Sequence, residues 1–177
     1  RFTEVAPLEL ISPAVLLRDV VEEARAFSDQ QGGHTFTMEL DESFQLRVNM
    51  EDMLIACSNL VMNAVRYTPS GGTITVILER SQDNARIAVN DTGCGIPEQH
   101  LPRLTERFYR VDVGRSRDAG GTGLGLSIVK HALEHYHSRL EIDSRLDIGS
   151  TFAFTIPAEF VVDNRAPETS EAPGTTT

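Results

Sequence analysis

The chain has 177 residues, 40% of them hydrophobic, which is enough to bury the core of one domain. Its formal net charge of −10 argues against duplex nucleic acid or an anionic membrane as the main partner. Cys57 lies in an apolar helical pattern and Cys94 in a glycine-rich turn, so the sequence suggests no disulfide framework and favours a reducing compartment. It contains no signal-peptide pattern and no run of 18 apolar residues, which predicts a soluble unit.

The first elements are a helix between extended segments. Residues 2–11 are predicted to be an extended lead-in that ends at Ser12, a helix N-cap followed by proline. Apolar residues then recur at helical spacing until Gly32 stops the pattern. Residues 36–40 and 44–48 alternate apolar and polar side chains on either side of a three-residue turn, which predicts a β-hairpin.

A second helix carries a polar stripe. It is predicted to begin after Asn49 and to run to about Arg66. Asn59, Asn63 and Arg66 stand at i, i+4 and i+7, so two amides and a guanidinium share one face. Because asparagine has poor helix propensity, the stripe is either a solvated face or a site for metal and phosphate, in which an amide oxygen serves as a hard ligand for Mg²⁺.

Two strands and an acidic turn follow. Residues 73–80 and 85–90 are predicted strands, and the second leads directly into Asp91 and a glycine-rich run. A carboxylate at a strand end, followed by glycines that let backbone approach a ligand, suits recognition of the exocyclic amine of a base. An ordinary Asp-Gly turn is the alternative.

Residues 98–112 combine a short predicted helix at 98–101 with an aromatic, basic run, in which two aromatic residues stand among three arginines. In an acidic protein this run could bind phosphates or a partner, although a partly buried aromatic anchor is the commoner explanation for such a run. Residues 113–119 are polar and flanked by glycine, which predicts a mobile lid.

A glycine-rich run at 120–125 precedes the third predicted helix. Four glycines fall in these six positions, and apolar residues then recur at helical spacing. Unpaired backbone N–H groups at a helix start favour a phosphate chain, although a flexible linker would have a similar composition. Residues 139–144 and 150–156 are predicted strands, and the Pro/Glu/Thr-rich residues beyond 160 are predicted to be disordered.

Five motifs occur in a fixed order along the chain. They are NLVMNAVRYT at 59–68, DTGCGIP at 91–97, ERFYRVD at 106–112, GTGLGL at 121–126 and GSTF at 149–152. This order resembles the N, G1, F, G2 and G3 boxes of the ATP-binding catalytic domain of bacterial sensor histidine kinases, over residues 12–157. Within that family, the segments at 101–112, 125–132 and 138–140 are most similar to those of the phosphate-regulon sensor kinases.

The resemblance implies a fold and a ligand. The fold is an α/β (α+β) sandwich of the gyrase, Hsp90 and histidine kinase type, a mixed sheet with helices packed on one face. The ligand is ATP with Mg²⁺, held between the helices and the lid. The ATP-binding domain is expected at 12–160, preceded by a lead-in at 1–11 from a missing dimerisation domain and followed by a disordered tail at 161–177.

The resemblance also implies roles for individual residues. Asn63 corresponds to the Mg²⁺-binding asparagine, Asp91 to the acid that binds the adenine amino group, and Tyr67 to the aromatic residue beside the base. Arg66 stands where the family usually has lysine at the phosphates, and it is grouped with Asn59 as a catalytic candidate. The other nucleotide-binding candidates are Gly93, Gly95, Ile96, Arg107, Phe108, Arg110, Gly121, Thr122, Gly123, Leu124, Gly125, Leu126 and Thr151.

Two features set this chain apart from relatives in the wider family. ATP-hydrolysing relatives have a glutamate one helical turn before the metal-binding asparagine, where this chain has Asn59. An amide cannot accept a proton from water at neutral pH, so the site is expected to transfer phosphate rather than hydrolyse ATP. The sequence contains no acceptor-histidine motif, dimerisation helix pair, sensor domain or membrane helix, so it is expected to be the cytoplasmic C-terminal part of an inner-membrane kinase.

The implied activity is that of a protein histidine kinase. The domain would bind Mg-ATP and donate the γ-phosphate to a histidine on a separate dimerisation domain, which passes it to a response regulator of the phosphate-regulon type. Neither nucleic acid nor membrane is an expected contact of this segment. Two alternatives stay open, an anti-sigma-type serine kinase of the same fold and a nucleotide-dependent interaction module that gates phosphatase activity without transferring phosphate.

Overall fold

A computed structural model of the chain describes residues 7–96, 98–103 and 125–164. In chain order its elements are β1 (Glu9–Ile11), α1 (Pro13–Gln30), β2 (Thr35–Leu40), β3 (Phe44–Val48), α2 (Met50–Tyr67), β4 (Thr73–Ser81), β5 (Asn84–Asp91), a 3₁₀ helix (Glu98–Arg103), α3 (Gly125–Glu134), β6 (Glu141–Arg145), β7 (Gly149–Ile156), a second 3₁₀ helix (Ala158–Phe160) and β8 (Val161–Asp163).

The two long helices begin at the predicted caps. The Ser12 hydroxyl accepts from the Val15 N–H at 3.2 Å, and proline occupies the first helical position. Asn49 Oδ1 accepts from the Asp52 N–H at 3.0 Å. Each cap satisfies one of the free N–H groups of a first turn, which fixes where the helix starts.

Five strands form the larger sheet, in the order β2-β4-β5-β7-β6. The β2–β4 pair is parallel and the other pairs are antiparallel, so the sheet is mixed, as predicted. All three helices contribute to one hydrophobic core with the buried face of this sheet. The largest fully buried side chains are Tyr136, Phe44, Phe154, Leu17, Leu46, Met53, Leu60, Ile74, Leu78, Ile87, Leu133 and Ile156.

The predicted β-hairpin of residues 36–40 and 44–48 is wrong. Both segments are strands, but β2 pairs with β4 while β3 lies in a second, three-stranded sheet in the order β1-β3-β8. The Asp41 N–H donates to the Leu78 carbonyl oxygen at 3.0 Å, which keeps the chain on β4 just past the end of β2. Alternation of apolar residues predicts a strand and its buried face, but it contains nothing about the partner strand.

The ordered fold also extends past the predicted boundary at residue 160. Central strand β3 exposes backbone groups on both edges, and β1 and β8 satisfy them on either side. Beyond β8, Asn164 N–H donates to the Ser43 carbonyl oxygen at 3.0 Å. Residues 9–11 and 161–164 are therefore part of the fold, although the sequence predicted them as lead-in and tail. Within the described ranges, no helix is long and apolar enough to cross a membrane.

Candidate functional site

The second half of α2 carries the predicted polar stripe, and its residues are half-buried. Asn59 Nδ2 donates to the Ile55 carbonyl oxygen at 2.7 Å, one turn back along the helix, which satisfies the amide nitrogen. Asn59 Oδ1 faces the start of α3, because a Cβ added to Gly125 would lie 3.1 Å from that oxygen. Helix α2 therefore brings the stripe to the first turn of α3, where Leu126 packs against the core.

Arg66 lies against α1. Its guanidinium carbon is 5.7 Å from the centroid of the Phe27 ring, a distance at which cation and ring attract each other. The Arg66 Nε is buried and has no hydrogen-bond partner among the described residues. Buried donors are normally paired, so this unpaired N–H group at the end of α2 is available to a ligand. The predicted contacts of Arg66 with phosphate and of Asn63 with Mg²⁺ stay predictions.

Asp91 is the last residue of β5, the central strand of the five-stranded sheet. This end of the strand lies next to the C-terminal end of α2. Asp91 Oδ1 accepts from the backbone N–H groups of Gly93 at 2.9 Å and Ser150 at 3.3 Å. Burial raises the pKa of Asp91 from 3.8 to about 6, against the lowering effect of these two hydrogen bonds. Both bonds go to Oδ1, so among the described residues Oδ2 is left to accept from a ligand.

The turn after Asp91 packs closely on the end of α2. A Cβ added to Gly93 would collide with the Tyr67 carbonyl oxygen and would lie 3.0 Å from Asp91 Oδ1. Glycine is the residue that permits this approach of two backbones. The structure therefore brings together Tyr67, Asp91 and Gly93, which the family resemblance assigned to the nucleotide pocket.

The next residues of the turn are fixed by the β6–β7 hairpin. Gly95 has a φ of +74°, and a Cβ there would collide with the Arg145 carbonyl oxygen. The Ile96 N–H donates to Ser144 Oγ at 2.7 Å. Gly95 and Ile96 thus lie near Asp91 on a turn whose conformation is held from the neighbouring hairpin.

Thr151 lies on the other side of the sheet from Asp91. In the register of β5 and β7, Thr151 is opposite Asn90, and its hydroxyl donates to Asn90 Oδ1 at 2.7 Å. Ser150 is opposite Asp91 on the helix-covered face, where Ser150 is buried and Asp91 is half-buried. Because neighbouring residues of a strand face opposite ways, the structure does not bring the Thr151 side chain to the site and places Ser150 there instead.

Thr68 is a site residue for which the sequence suggested no individual role. It is the C-cap of α2, 4% exposed, and its Oγ1 has no hydrogen-bond partner among the described residues. That oxygen and Asp91 Oδ1 lie 3.2 and 3.0 Å from the same point, the position of a Cβ on Gly93. A buried hydroxyl with unused hydrogen-bonding capacity near a carboxylate is a candidate ligand contact. In the sequence, Thr68 looked like part of a helix stop.

Several predicted residues lie outside the described part of the chain, so their roles stay predictions. They are Arg107, Phe108, Arg110, Gly121, Thr122, Gly123 and Leu124, together with the predicted lid.

The mixed sheet, its helical layer and the acid that faces the end of α2 define a ligand-binding α/β sandwich. Residues 48–159 match the family described as histidine kinase-, DNA gyrase B- and HSP90-like ATPase. The chain belongs to this family, and family membership implies ATP as the ligand.

Relatives and solved structures agree on the branch of the family. The phosphate regulon sensor protein PhoR of Pseudomonas aeruginosa is 45% identical over 137 residues, or 77% of this chain, and that of Haemophilus influenzae is 45% identical over 120 residues, or 68%. These alignments cover 31% and 28% of the relatives, so the chain spans about a third of their length. The structure of the mycobacterial sensor histidine kinase MprB superposes with a TM-score of 0.75 at 25% identity, over 84% of this chain and 97% of that one. The predicted fold and family are confirmed.

Proposed function

We propose that this chain is the catalytic ATP-binding domain of a sensor histidine kinase, which binds Mg-ATP and donates the γ-phosphate to a histidine on a separate dimerisation domain. The family supports ATP as the ligand, and the similarity to PhoR and MprB supports the kinase activity. The observation that carries the proposal is the position of Asp91, which has one carboxylate oxygen free of described partners beside the end of α2.

The polar groups around Asp91 fit adenine. Its Oδ2 would accept a hydrogen bond from the exocyclic amine, and the unpaired Thr68 hydroxyl would donate toward a ring nitrogen, directly or through a water. Guanine has a carbonyl oxygen where adenine has the amine, so two acceptors would face each other. ATP should therefore bind more tightly than GTP.

The metal would be shared between protein and phosphates. Among the described residues, no group of three His, Cys, Asp or Glu side chains could hold a metal ion. Mg²⁺ prefers oxygen ligands and keeps several waters, so the amide oxygen of Asn63 fits as a protein ligand. When bound, the ion would neutralise charge on the phosphates. Arg66, with its unused Nε, would contact the same phosphates.

The site is built to hold ATP for transfer. Asn59 occupies the place of a hydrolytic base, and its Nδ2 is already engaged with the Ile55 carbonyl oxygen. An amide in this position cannot take a proton from water, so ATP would persist until a histidine of the dimerisation domain attacks the γ-phosphate. The residues of this chain would therefore bind and orient the nucleotide while the nucleophile comes from elsewhere.

The wider role follows from the relatives. Similarity to PhoR proteins supports a response regulator of the phosphate-regulon type as the final acceptor and a membrane-anchored kinase as the whole protein. The alternatives, a serine kinase of the anti-sigma type and a non-catalytic interaction module, are not favoured, because the relatives compared are sensor kinases.

The test combines binding and transfer. Calorimetric titration should show Mg²⁺-dependent binding of an ATP analogue and weaker binding of the GTP analogue. With γ-labelled ATP, the chain alone should neither label itself nor release phosphate quickly, and adding the dimerisation domain in trans should produce acid-labile, base-stable phosphate. Transfer in trans should be slow, because separate pieces lose the effective concentration of a covalent link. Self-labelling, or equal affinity for both nucleotides, would contradict the proposal.

A further inference from the structure

Two loops that are distant in sequence run side by side next to the C-terminal end of α2. The first joins α1 to β2 and the second joins α2 to β4. Three hydrogen bonds connect them: Ser70 Oγ to the Gly32 carbonyl oxygen at 3.0 Å, Gly71 N to the Gly33 carbonyl oxygen at 2.8 Å, and Thr35 N to the Gly72 carbonyl oxygen at 2.9 Å. The loops therefore form one hydrogen-bonded layer that supports the C-terminal end of α2.

His34 stands at the centre of this layer. Its Nδ1 is 2.7 Å from Ser28 Oγ in the last turns of α1, and its Nε2 is 2.7 Å from the carbonyl oxygen of Thr68. A carbonyl oxygen can accept but not donate, so Nε2 carries the proton, and in the neutral ring Nδ1 accepts from the Ser28 hydroxyl. Ser28 is 1% exposed, so the ring is braced from the protein interior.

The contacts continue from Thr68 to the acid at the end of β5. Thr68 directly follows Tyr67, whose carbonyl oxygen leaves no room for a Cβ on Gly93. The Gly93 N–H in turn donates to Asp91 Oδ1 at 2.9 Å. A shift of the end of α2 would therefore move Gly93 and, through it, the carboxylate of Asp91.

We propose that His34 is a positioning residue for nucleotide binding. Its ring, braced by Ser28, holds the Thr68 carbonyl and thereby sets the distance between the end of α2 and the Asp91–Gly93 turn. The inference rests on the proposed function for the identity of the ligand, whereas the contacts themselves are independent of it. His34 acts through Thr68 and Gly93, so it supports the site without being a catalytic residue.

Two substitutions of His34 test whether a side chain long enough to donate to the Thr68 carbonyl oxygen is what the position requires. In His34→Gln, the side-chain amide nitrogen stands about as far from the backbone as the histidine Nε2 and keeps a donor for Thr68. In His34→Asn, the amide ends near the position of Nδ1 and cannot reach that carbonyl. We expect His34→Asn to weaken binding of an ATP analogue about 5- to 10-fold, the effect of one lost hydrogen bond, and His34→Gln to stay within about 2-fold of wild type.

The matched control is His137→Asn. His137 is exposed after α3 with a φ of +57°, a conformation that asparagine tolerates. This control should bind the analogue like the wild type. Ser28→Ala removes the brace but keeps the Thr68 contact, so it should weaken binding less than His34→Asn does.

A second readout uses the nucleotide-free protein. The backbone amide signals of Thr68 and Gly93 in two-dimensional NMR spectra should shift in His34→Asn and return toward their wild-type positions in His34→Gln. Wild-type affinity in His34→Asn, or an unmoved Gly93 signal, would overturn the positioning role. If the wild type itself binds no nucleotide, the proposed function fails, while the Gly93 signal still decides whether His34 positions the turn.

Discussion

The two ends of α2 use their polar groups in opposite ways. At the start, Asn49 N–H donates to the Tyr136 hydroxyl at 2.9 Å, and that hydroxyl donates to Asp52 Oδ2 at 2.7 Å. His135 Nδ1 lies 3.0 Å from the same oxygen of Asp52. Burial raises the pKa of the Tyr136 hydroxyl, so it stays protonated and continues to donate. This end is a closed network that ties α2 to the end of α3.

The other end of α2 leaves polar atoms unused. Arg66 Nε and Thr68 Oγ1 are buried without a hydrogen-bond partner among the described residues, and the nearby Asp91 is a half-buried acid whose pKa is raised by its partial burial. Unpaired buried groups cost stability, and a fold tolerates them where a ligand can satisfy them. The start of α2 therefore stabilises the fold, whereas its end retains unused hydrogen-bonding capacity at the expense of stability.

The strongest test of this division is Asn63→Ala. Asn63 faces away from the α2 core residues, so the variant should fold normally but lose the Mg²⁺-dependent part of nucleotide binding entirely. Titration of an ATP analogue with and without Mg²⁺ measures this. An undiminished response to Mg²⁺ in the variant would rule out Asn63 as the metal ligand.

Asp91→Asn should have opposite effects on binding and stability. The substitution places a donor toward the adenine amine, so ATP should bind about 10- to 150-fold more weakly, or about 1.5 to 3 kcal/mol. Because the folded pKa of Asp91 is about 6 against 3.8, the acid lowers wild-type stability as the pH rises through that interval. The variant should therefore be the more stable protein at pH 8 but not at pH 4, as measured by thermal unfolding.

Tyr136→Phe should show the reverse pattern at the start of α2. Loss of the hydroxyl leaves the half-buried Asn49 N–H without its partner and removes one donor to Asp52, which should lower the free energy of unfolding by about 1 to 3 kcal/mol. Urea unfolding measures the loss, and affinity for the ATP analogue should stay within about 2-fold of wild type. A large loss of affinity would show that the two ends of α2 are not separable.

Thr68→Val should have the smallest effect. The substitution replaces an unpaired buried hydroxyl by a methyl group of similar size, so the nucleotide-free protein should be as stable as the wild type or slightly more stable. ATP affinity should fall about 2- to 10-fold if the hydroxyl contributes one hydrogen bond to the base. Destabilisation without a change of affinity would mean that Thr68 serves the fold.

The sequence predicted what depends on local chemistry. The caps at Ser12 and Asn49, the helical stripe and the acid at the end of β5 all follow from residues close together in the chain, and the structure contains each of them. The order of the five motifs along the chain was enough to indicate the family. The contacts of these residues with nucleotide and metal stay predictions.

The errors concern relations between distant segments. Alternation could not show that β3 pairs with β1 and β8 rather than with β2. The sequence likewise could not show that the register of β7 against β5 places Ser150, and not the predicted Thr151, opposite Asp91. Thr68 and His34 were missed because they are 34 residues apart in the chain and come into contact only where two loops meet in the fold.

The three-stranded sheet has a mechanical consequence. The Pro7 carbonyl oxygen accepts from Asn49 Nδ2 at 3.1 Å, and β1 then runs antiparallel to β3 for three residue pairs. A force applied to the chain at residue 7 would act on this short ladder and on the Asn49 side chain that caps α2. A displacement of residue 7 would thus reach the cap of α2, the helix that carries the candidate site, through a single hydrogen bond.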